Sequence, residues 1–202
     1  MIDVYGAVLP RCESSVSLLC SERQSEVDGI SNEKTRREKY YVWRLLEYAI
    51  KNSLGADASR LCFTKGKNRK WSCKGFEFSL SHSGQAICVA ISDKAVGVDV
   101  ERIRVRDINR MAEYMLTELE RDEYEKALNV EREEWLISKW CQKEAIFKSF
   151  DSEVFSPKEI ETSFFFSYTQ KMIIDGEKYI LSVASNSKDE VNLFNDIELC
   201  DK

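Results

Sequence analysis

Three short β-type runs succeed one another in a narrow window: FEFSLS (76–81), AICVAIS (86–92) and AVGVDVE (95–101), separated by HSGQ and by Asp93-Lys94. Connections this short suit antiparallel neighbours, so the spacing predicts an antiparallel meander, with Ser92-Asp93-Lys94 as the tighter turn. Residues 2–8 also alternate in a β-like way. Between them, Asn32 to Ser53 holds no Gly or Pro. Tyr41, Leu45 and Tyr48 recur there at helical spacing beside Val42, Leu46, Ala49 and Ile50, and Gly55 follows as a stop, which predicts one long helix. After residue 101 the texture turns helical: Asp107–Leu116, a capping box from Thr117 to Glu120, then Glu131–Phe150. Strands are predicted again at 164–166, 172–174 and 179–184. Strands and helices are grouped rather than strictly alternating, so the fold class expected is α+β and not a doubly wound sheet.

A length of 202 residues suits one larger domain or two small ones sharing a core. With 43% hydrophobic and 32% charged residues, the chain has the composition of a folded globular protein. Its single histidine, His82, excludes metal sites built from several imidazoles. The seven cysteines (12, 20, 62, 73, 88, 141 and 200) contain no Cys-x-x-Cys pair, which argues against a thiolate zinc ribbon. Their odd number and the start MIDVYGAVLPRC, which has no basic region ahead of its apolar stretch, lead to the expectation of a cytoplasmic protein with reduced thiols. The longest plainly apolar run, AICVAI, is far too short to cross a bilayer, so no membrane association is expected.

The net charge of −5 conceals a division: residues 1–98 carry 15 basic and 11 acidic side chains, residues 99–202 carry 15 and 24. Within the first part, RLCFTKGKNRKWSCK (60–74) has six basic residues, no acid, and Phe63 and Trp71 interleaved. Three readings stand side by side. They are a solvated basic loop, a nucleic-acid contact without any accompanying reader motif, and a site for a compact polyphosphate that Gly66 lets approach the backbone.

In AVGVDVE, Val96, Val98 and Val100 share one face of a strand, and Gly97, Asp99 and Glu101 the other. The two carboxylates are then about 7 Å apart along the strand. That pattern fits a solvated strand face. It also fits a pair of ligands for a hard cation such as magnesium, with Gly97 marking the approach of a ligand or another backbone. In WLISKWCQKEAIFKSF (135–150), Trp140, Glu144 and Lys148 fall one helical turn apart on one stripe. A Glu–Lys surface pair is one reading; a charged stripe facing a lined cleft is the other, since Trp140, Ile146 and Phe147 make the helix too apolar for free solvation. His82 sits at a strand end before Gly84, and no Gly-x-Ser-x-Gly elbow supports a Ser-His-Asp hydrolase.

FSLSHSG, then VGVDVE, then WCQKEAIFK, in this order and spacing across residues 66–148, resembles the 4'-phosphopantetheinyl transferases, specifically the larger surfactin-synthetase type. The resemblance implies two similar α+β halves in a pseudo-two-fold arrangement. Residues 1–100 would form the coenzyme A-holding half, and residues 101–202 the half bringing metal and catalytic carboxylates to the interface. It implies transfer of the phosphopantetheine arm of coenzyme A to a serine of an apo acyl or peptidyl carrier protein, by a magnesium-dependent monomer. A coenzyme A or nucleotide-binding module without transfer activity is the alternative, and a nucleic-acid binder using residues 60–74 a third.

By the same resemblance, Asp99, Glu101 and Glu144 are the metal ligands, Glu144 is the general base, and Lys148 contacts the diphosphate, with Lys143 and Trp140 completing that signature. Gly66 and Lys67 match a Gly-Lys-Pro element, although Asn68 stands where the family has proline. Ser81 and His82 match a pair near the 3'-phosphate, and Arg36, Lys39 and Arg44 look like cationic helix positions serving the coenzyme. Arg102, Arg104 and Arg106, followed by Met111, Met115 and Leu116, have two readings: a basic surface with an apolar anchor for an acidic carrier, or a solvated loop followed by a core-facing helix.

Overall fold

The computed structural model describes residues 1–11, 14, 16–66, 70–128, 131–150 and 153–199. Strand β1 (Ile2–Val8) is followed by helices α1 (Ser21–Asp28) and α2 (Glu33–Leu54). The long helix is the expected one. Asn32 caps its start by accepting from the Thr35 N–H at 2.9 Å, and Gly55, at φ +60°, ends it in the left-handed region. The basic segment folds into two short strands, β2 (Phe63–Lys65) and β3 (Trp71–Cys73), with residues 67–69 outside the described set. Phe63 and Trp71 both pack edge-on against the buried Trp43 of α2, so the interleaved aromatics serve the core.

Strands β4 (Glu77–Ser83) and β5 (Ala86–Ser92) form the predicted hairpin, turning on Gly84 at φ +59°. The third run, β6 (Val96–Arg102), does not continue the meander. Both edges of β5 are already taken, by β4 on one side and by antiparallel β1 on the other, so β6 starts a second sheet. Helices α3 (Ile108–Met115), α4 (Glu118–Lys126) and α5 (Arg132–Ser149) follow. The capping box at the start of α4 is formed as read, with Thr117 and Glu120 satisfying each other's backbone N–H. Strands β7 (Phe166–Ile174) and β8 (Glu177–Ser185) form one hairpin where two short separate strands and a third were expected; Asp175 (φ 50°) and Gly176 (φ 79°) supply the tight turn. A last strand, β9 (Val191–Phe194), runs parallel to β1.

The sheets are ordered β4-β5-β1-β9 and β6-β8-β7. They face each other across a core of Val4, Cys88 and Ala90 from the first and Val98, Val100, Leu181 and Val183 from the second. The opposite face of β5 (Ile87, Val89, Ile91) packs on α2, and Ile180 and Ala184 of β8 pack on α5. The order of layers is therefore helix, sheet, sheet, helix, an α+β architecture as expected. Residues 86–92 are buried on both faces, which explains why that run is apolar throughout.

Candidate active site between the central strands and helix α5

The two sheets meet where β4 and β6 lie side by side, and three alternate serines make the junction. Ser79, Ser81 and Ser83 accept from the backbone N–H groups of Val98, Val100 and Arg102 at 3.0, 3.3 and 3.2 Å. Their hydroxyls stand in for a sheet ladder, since each β6 donor needs an acceptor at this edge. The opposite face of β6 meets α5. A Cβ on Gly97 would lie 1.8 Å from the carbonyl oxygen of Ala145 and 2.7 Å from the Ser149 nitrogen. The glycine thus marks the approach of another backbone, and the face read as solvated is covered by a helix. Cys141 of α5 reinforces the contact by donating its S–H to the carbonyls of Asp99 and Ile180.

This close approach brings the carboxylates together. Asp99 is buried, and its Oδ1 accepts from Ser81 Oγ at 2.7 Å and from Lys148 Nζ at 2.6 Å. Its Oδ2 is buried with no hydrogen-bond partner among the described residues. Glu144 approaches Lys148 at 3.6 Å, one turn along α5 as the spacing predicts. Glu101 accepts from Ser83 Oγ at 2.8 Å. Burial and the neighbouring Asp99 push the Glu101 carboxyl up to about 7. Burial also raises Glu144, with Lys148 working against it. For Lys148, burial disfavours the ammonium, but Asp99 and Glu144 outweigh it and hold the lysine protonated.

These three acids form an all-oxygen donor set, and the unpartnered Asp99 Oδ2 together with the raised Glu101 signals too little positive charge. Both features fit a hard divalent cation. Among the described residues, no group of three or more His, Cys, Asp or Glu has the arrangement to hold a metal as it stands, and Lys148 lies between Asp99 and Glu144. Lys143, next to Glu144, points the other way. It is fully buried, pairs with Glu120 at 2.7 Å, and donates to the carbonyls of Pro157 and Ile160. It anchors the segment after α5 to α4 and so fixes the helix from behind.

His82 lies one residue beyond Ser81, exposed at the rim, with Nδ1 3.7 Å from Glu38. Desolvation lowers its pKa; Glu38 opposes this, and Lys148, Lys39 and Arg23 add to the lowering. Lys39 and Arg23 belong to a second cluster that the sequence did not disclose. Its centre is Glu26 on α1, which meets Arg23 (3.1 Å), Lys65 (3.0 Å), Lys39 (3.6 Å) and the Trp71 Nε1–H (3.2 Å). Burial works against the Glu26 charge, yet Lys65 and Arg23 hold the carboxyl below its ordinary value. Gly66 closes its loop by donating to the Lys70 carbonyl at 2.8 Å, and Lys70 Nζ reaches the Lys148 carbonyl at 3.0 Å.

Of the residues singled out from sequence, Lys39, Ser81, His82, Asp99, Glu101, Glu144 and Lys148 are therefore drawn together, with Gly66 joined through Lys70. Lys67, with Asn68, lies outside the described residues. Arg36 donates to the Ile30 carbonyl at 3.3 Å and Arg44 to Glu47 at 3.1 Å. Neither of those partners belongs to the cluster. The serine alternation S-x-S-x-S was visible in the sequence and marks the junction. Helix α1, short, polar and without a side-chain cap, left no comparable signal.

Beyond Glu101, an open groove of roughly 450 Å³ runs past Arg104, Arg106, Met111, Tyr114 and Trp140. Two of the candidate apolar anchors are not there: Met115 and Leu116 are buried in the core with Tyr124 and Leu136. Helix α3 turns that stripe inward, and the groove wall is instead formed by Met111, Trp140 and the half-exposed Tyr114. Arg102 is tied to Glu177 at 2.7 Å.

The chain matches no curated protein. It does match one family model, and the matched stretch begins one residue before β6, takes in α5 and ends within β9. Residues 95–193, which hold Asp99, Glu101, Glu144 and Lys148, match the model of the 4'-phosphopantetheinyl transferase superfamily.

Proposed function

We propose that the chain transfers the 4'-phosphopantetheine arm of coenzyme A to a serine of an apo acyl or peptidyl carrier protein. Adenosine 3',5'-bisphosphate is released. One observation carries the reading: three carboxylates and a buried-side lysine converge between β6 and α5, within the residues matched by the superfamily, beside a second cluster rich in cations. A carboxylate end and a cationic end are what a metal-bound diphosphate carrying a further phosphate requires.

In this reading Asp99, Glu101 and Glu144 hold magnesium, which when bound neutralises the diphosphate charge. Glu144, whose carboxyl burial makes more basic, takes the proton of the carrier serine. The serine oxygen then bonds to the phosphorus bearing the pantetheine arm, and the bond to the adenosine-side phosphate oxygen breaks. Lys148 contacts the diphosphate. His82, Ser81, Gly66 and Lys67 serve the coenzyme, and Lys39, Arg36 and Arg44 add cationic charge, Lys39 at closest quarters with His82. The carrier docks in the groove of Arg104, Arg106, Met111, Tyr114 and Trp140, whose cations and aromatic wall suit an acidic helical partner. The halves 1–100 and 101–202 act as pseudo-two-fold equivalents in the manner of the surfactin-synthetase type, with β6 crossing the boundary into the second sheet and β9 returning to the first. With both sides of the cleft on one chain, a monomer suffices, and the free thiols of Cys62 and Cys73 suit the cytoplasm.

The test is to incubate the protein with coenzyme A, magnesium and a panel of apo-carriers and to weigh the carriers by mass spectrometry. At least one carrier gains a phosphopantetheine group, and Asp99→Ala lowers its rate by more than about 100-fold. Near-normal transfer by Asp99→Ala would place the chemistry elsewhere. Tight coenzyme A binding with no carrier modified would favour a binding module.

A further inference from the structure

We infer that Lys148 is an internal stand-in for the metal: in the ligand-free protein its ammonium fills the space between Asp99 and Glu144, and it leaves only when a diphosphate arrives, so that metal and coenzyme bind as a coupled unit. The inference rests on the metal-ligand reading proposed above.

The geometry supports exchange rather than coexistence. Lys148 Nζ is 2.6 Å from Asp99 Oδ1, 3.3 Å from Ser81 Oγ and 3.6 Å from Glu144 Oε2. A magnesium ion needs its oxygen ligands at about 2.0–2.1 Å in near-octahedral array, so it must take the place the ammonium now holds. One lysine is a poor substitute for a dication. It engages a single oxygen of Asp99, leaving Oδ2 buried without a hydrogen-bond partner among the described residues, while Glu101 accepts from Ser83.

The exit route supplies the coupling. Lys148 lies in the last turn of α5, and its side chain is still 26% exposed, so its four-carbon arm has a way out without disturbing the helix. Other cations lie in its neighbourhood. Lys148 acts electrostatically on His82, as do Lys39 and Arg23, and Lys70 is bonded to the Lys148 carbonyl. In the empty cleft an outward swing would bring the ammonium toward like charges. Once phosphates lie there, the same swing is favourable, and the carboxylates become free for the metal. The two ligands therefore aid each other through one side chain with two positions, which is a coupling free energy by definition and acts equally in both directions.

The experiment measures manganese(II), a spectroscopically visible substitute for magnesium, by electron paramagnetic resonance at pH 8, where carboxylates are ionised. Without coenzyme, Lys148→Met binds manganese at least about tenfold more tightly than the wild type, within the usual range of such couplings. Coenzyme A tightens manganese binding to the wild type by a similar factor and changes that of Lys148→Met little. Lys148→Gln, which keeps a polar group in the junction, serves the same comparison if the methionine variant does not fold. Equal manganese affinity of wild type and both variants without coenzyme overturns the exchange. In that case, loss of binding in Asp99→Asn would leave the metal-ligand reading standing. If Asp99→Asn binds manganese as tightly as its parent, the ion sits elsewhere and both readings fall.

Discussion

The carboxylates of β6 and α5 and the cations around Glu26 form two groups, both with members that act on His82, and each group encloses one side chain of the other sign. Lys148 sits among acids; Glu26 sits among bases. The frameworks differ. The acid cluster is held by two backbones in van der Waals contact at Gly97, by three serine hydroxyls linking β4 to β6, and by the Lys143–Glu120 pair behind α5. The cationic cluster draws on an eight-residue helix, two three-residue strands and, through Lys39, on α2, with long side chains meeting a single carboxylate. A metal site and a general base tolerate little displacement, whereas binding a phosphate needs charge more than fixed angles. On the proposed function, the more firmly held cluster is the one where bonds would be made.

The sharpest way to break this contrast is Gly97→Ala. A methyl group cannot occupy a point 1.8 Å from the Ala145 carbonyl oxygen, so β6 and α5 must separate. Unfolding by urea is expected to show a loss of at least about 3 kcal/mol, the upper end of overpacking costs, because the obstacle is backbone. Carrier modification should fall by more than about 100-fold, as expected for an ångström-scale misplacement of the reacting groups. At the cationic end, Lys65→Ala removes an ion pair that is 35% exposed on the lysine side and should cost under about 1 kcal/mol. Equal losses in the two variants would erase the distinction.

A second measurement compares the clusters by pH. In the folded, metal-free protein Glu101 keeps its proton up to about 7, while an unfolded chain releases it near 4.5. Between those values the folded state binds more protons, so stability falls as pH rises, and the penalty is complete above pH 7. The full difference is about 3 kcal/mol at about 1.4 kcal/mol per pH unit. Urea titrations from pH 4 to 8 should show wild type losing ground against Glu101→Gln by roughly that amount. Magnesium with coenzyme A should cancel most of the decline. Parallel pH profiles for the two proteins would mean that Glu101 is not under electrostatic strain.

The acid cluster was also the more legible one in the sequence, for the same physical reason. Regular elements have fixed periods, so Asp99 and Glu101 fall on one strand face and Glu144 and Lys148 on one helix stripe whatever the tertiary fold. What periodicity cannot reveal is which element lies opposite. Asp99 and Glu144 meet because β6 leaves the meander, and it leaves because β1, far upstream, occupies the free edge of β5. Met115 and Leu116 show the same limit: a helical stripe shows amphipathicity without telling which neighbour covers it, and of the two readings the core-facing one holds. The cationic cluster depends on Arg23 and Glu26 in α1 meeting Lys65 and Trp71 some forty residues on. No local pattern encodes that meeting.

The smallest expected effect tests whether Glu26 is merely a counter-ion. If the cations around it are adaptable, Glu26→Gln leaves them in place and makes the site more positive by one charge. The side chain keeps its length, and the amide oxygen still accepts from Lys65 or the Trp71 N–H. Anionic coenzyme A should then bind about two- to fivefold more tightly at low salt, the effect of one charge at several ångströms in a well-solvated cleft. The gain should shrink toward nothing at 0.3 M salt, where screening acts over less than the width of the cluster. Calorimetric titrations at the two salt concentrations make the comparison. Weaker binding by Glu26→Gln at both would show that the carboxylate positions Arg23, Lys39 and Lys65, and that the cationic end is as rigidly organised as the acidic one.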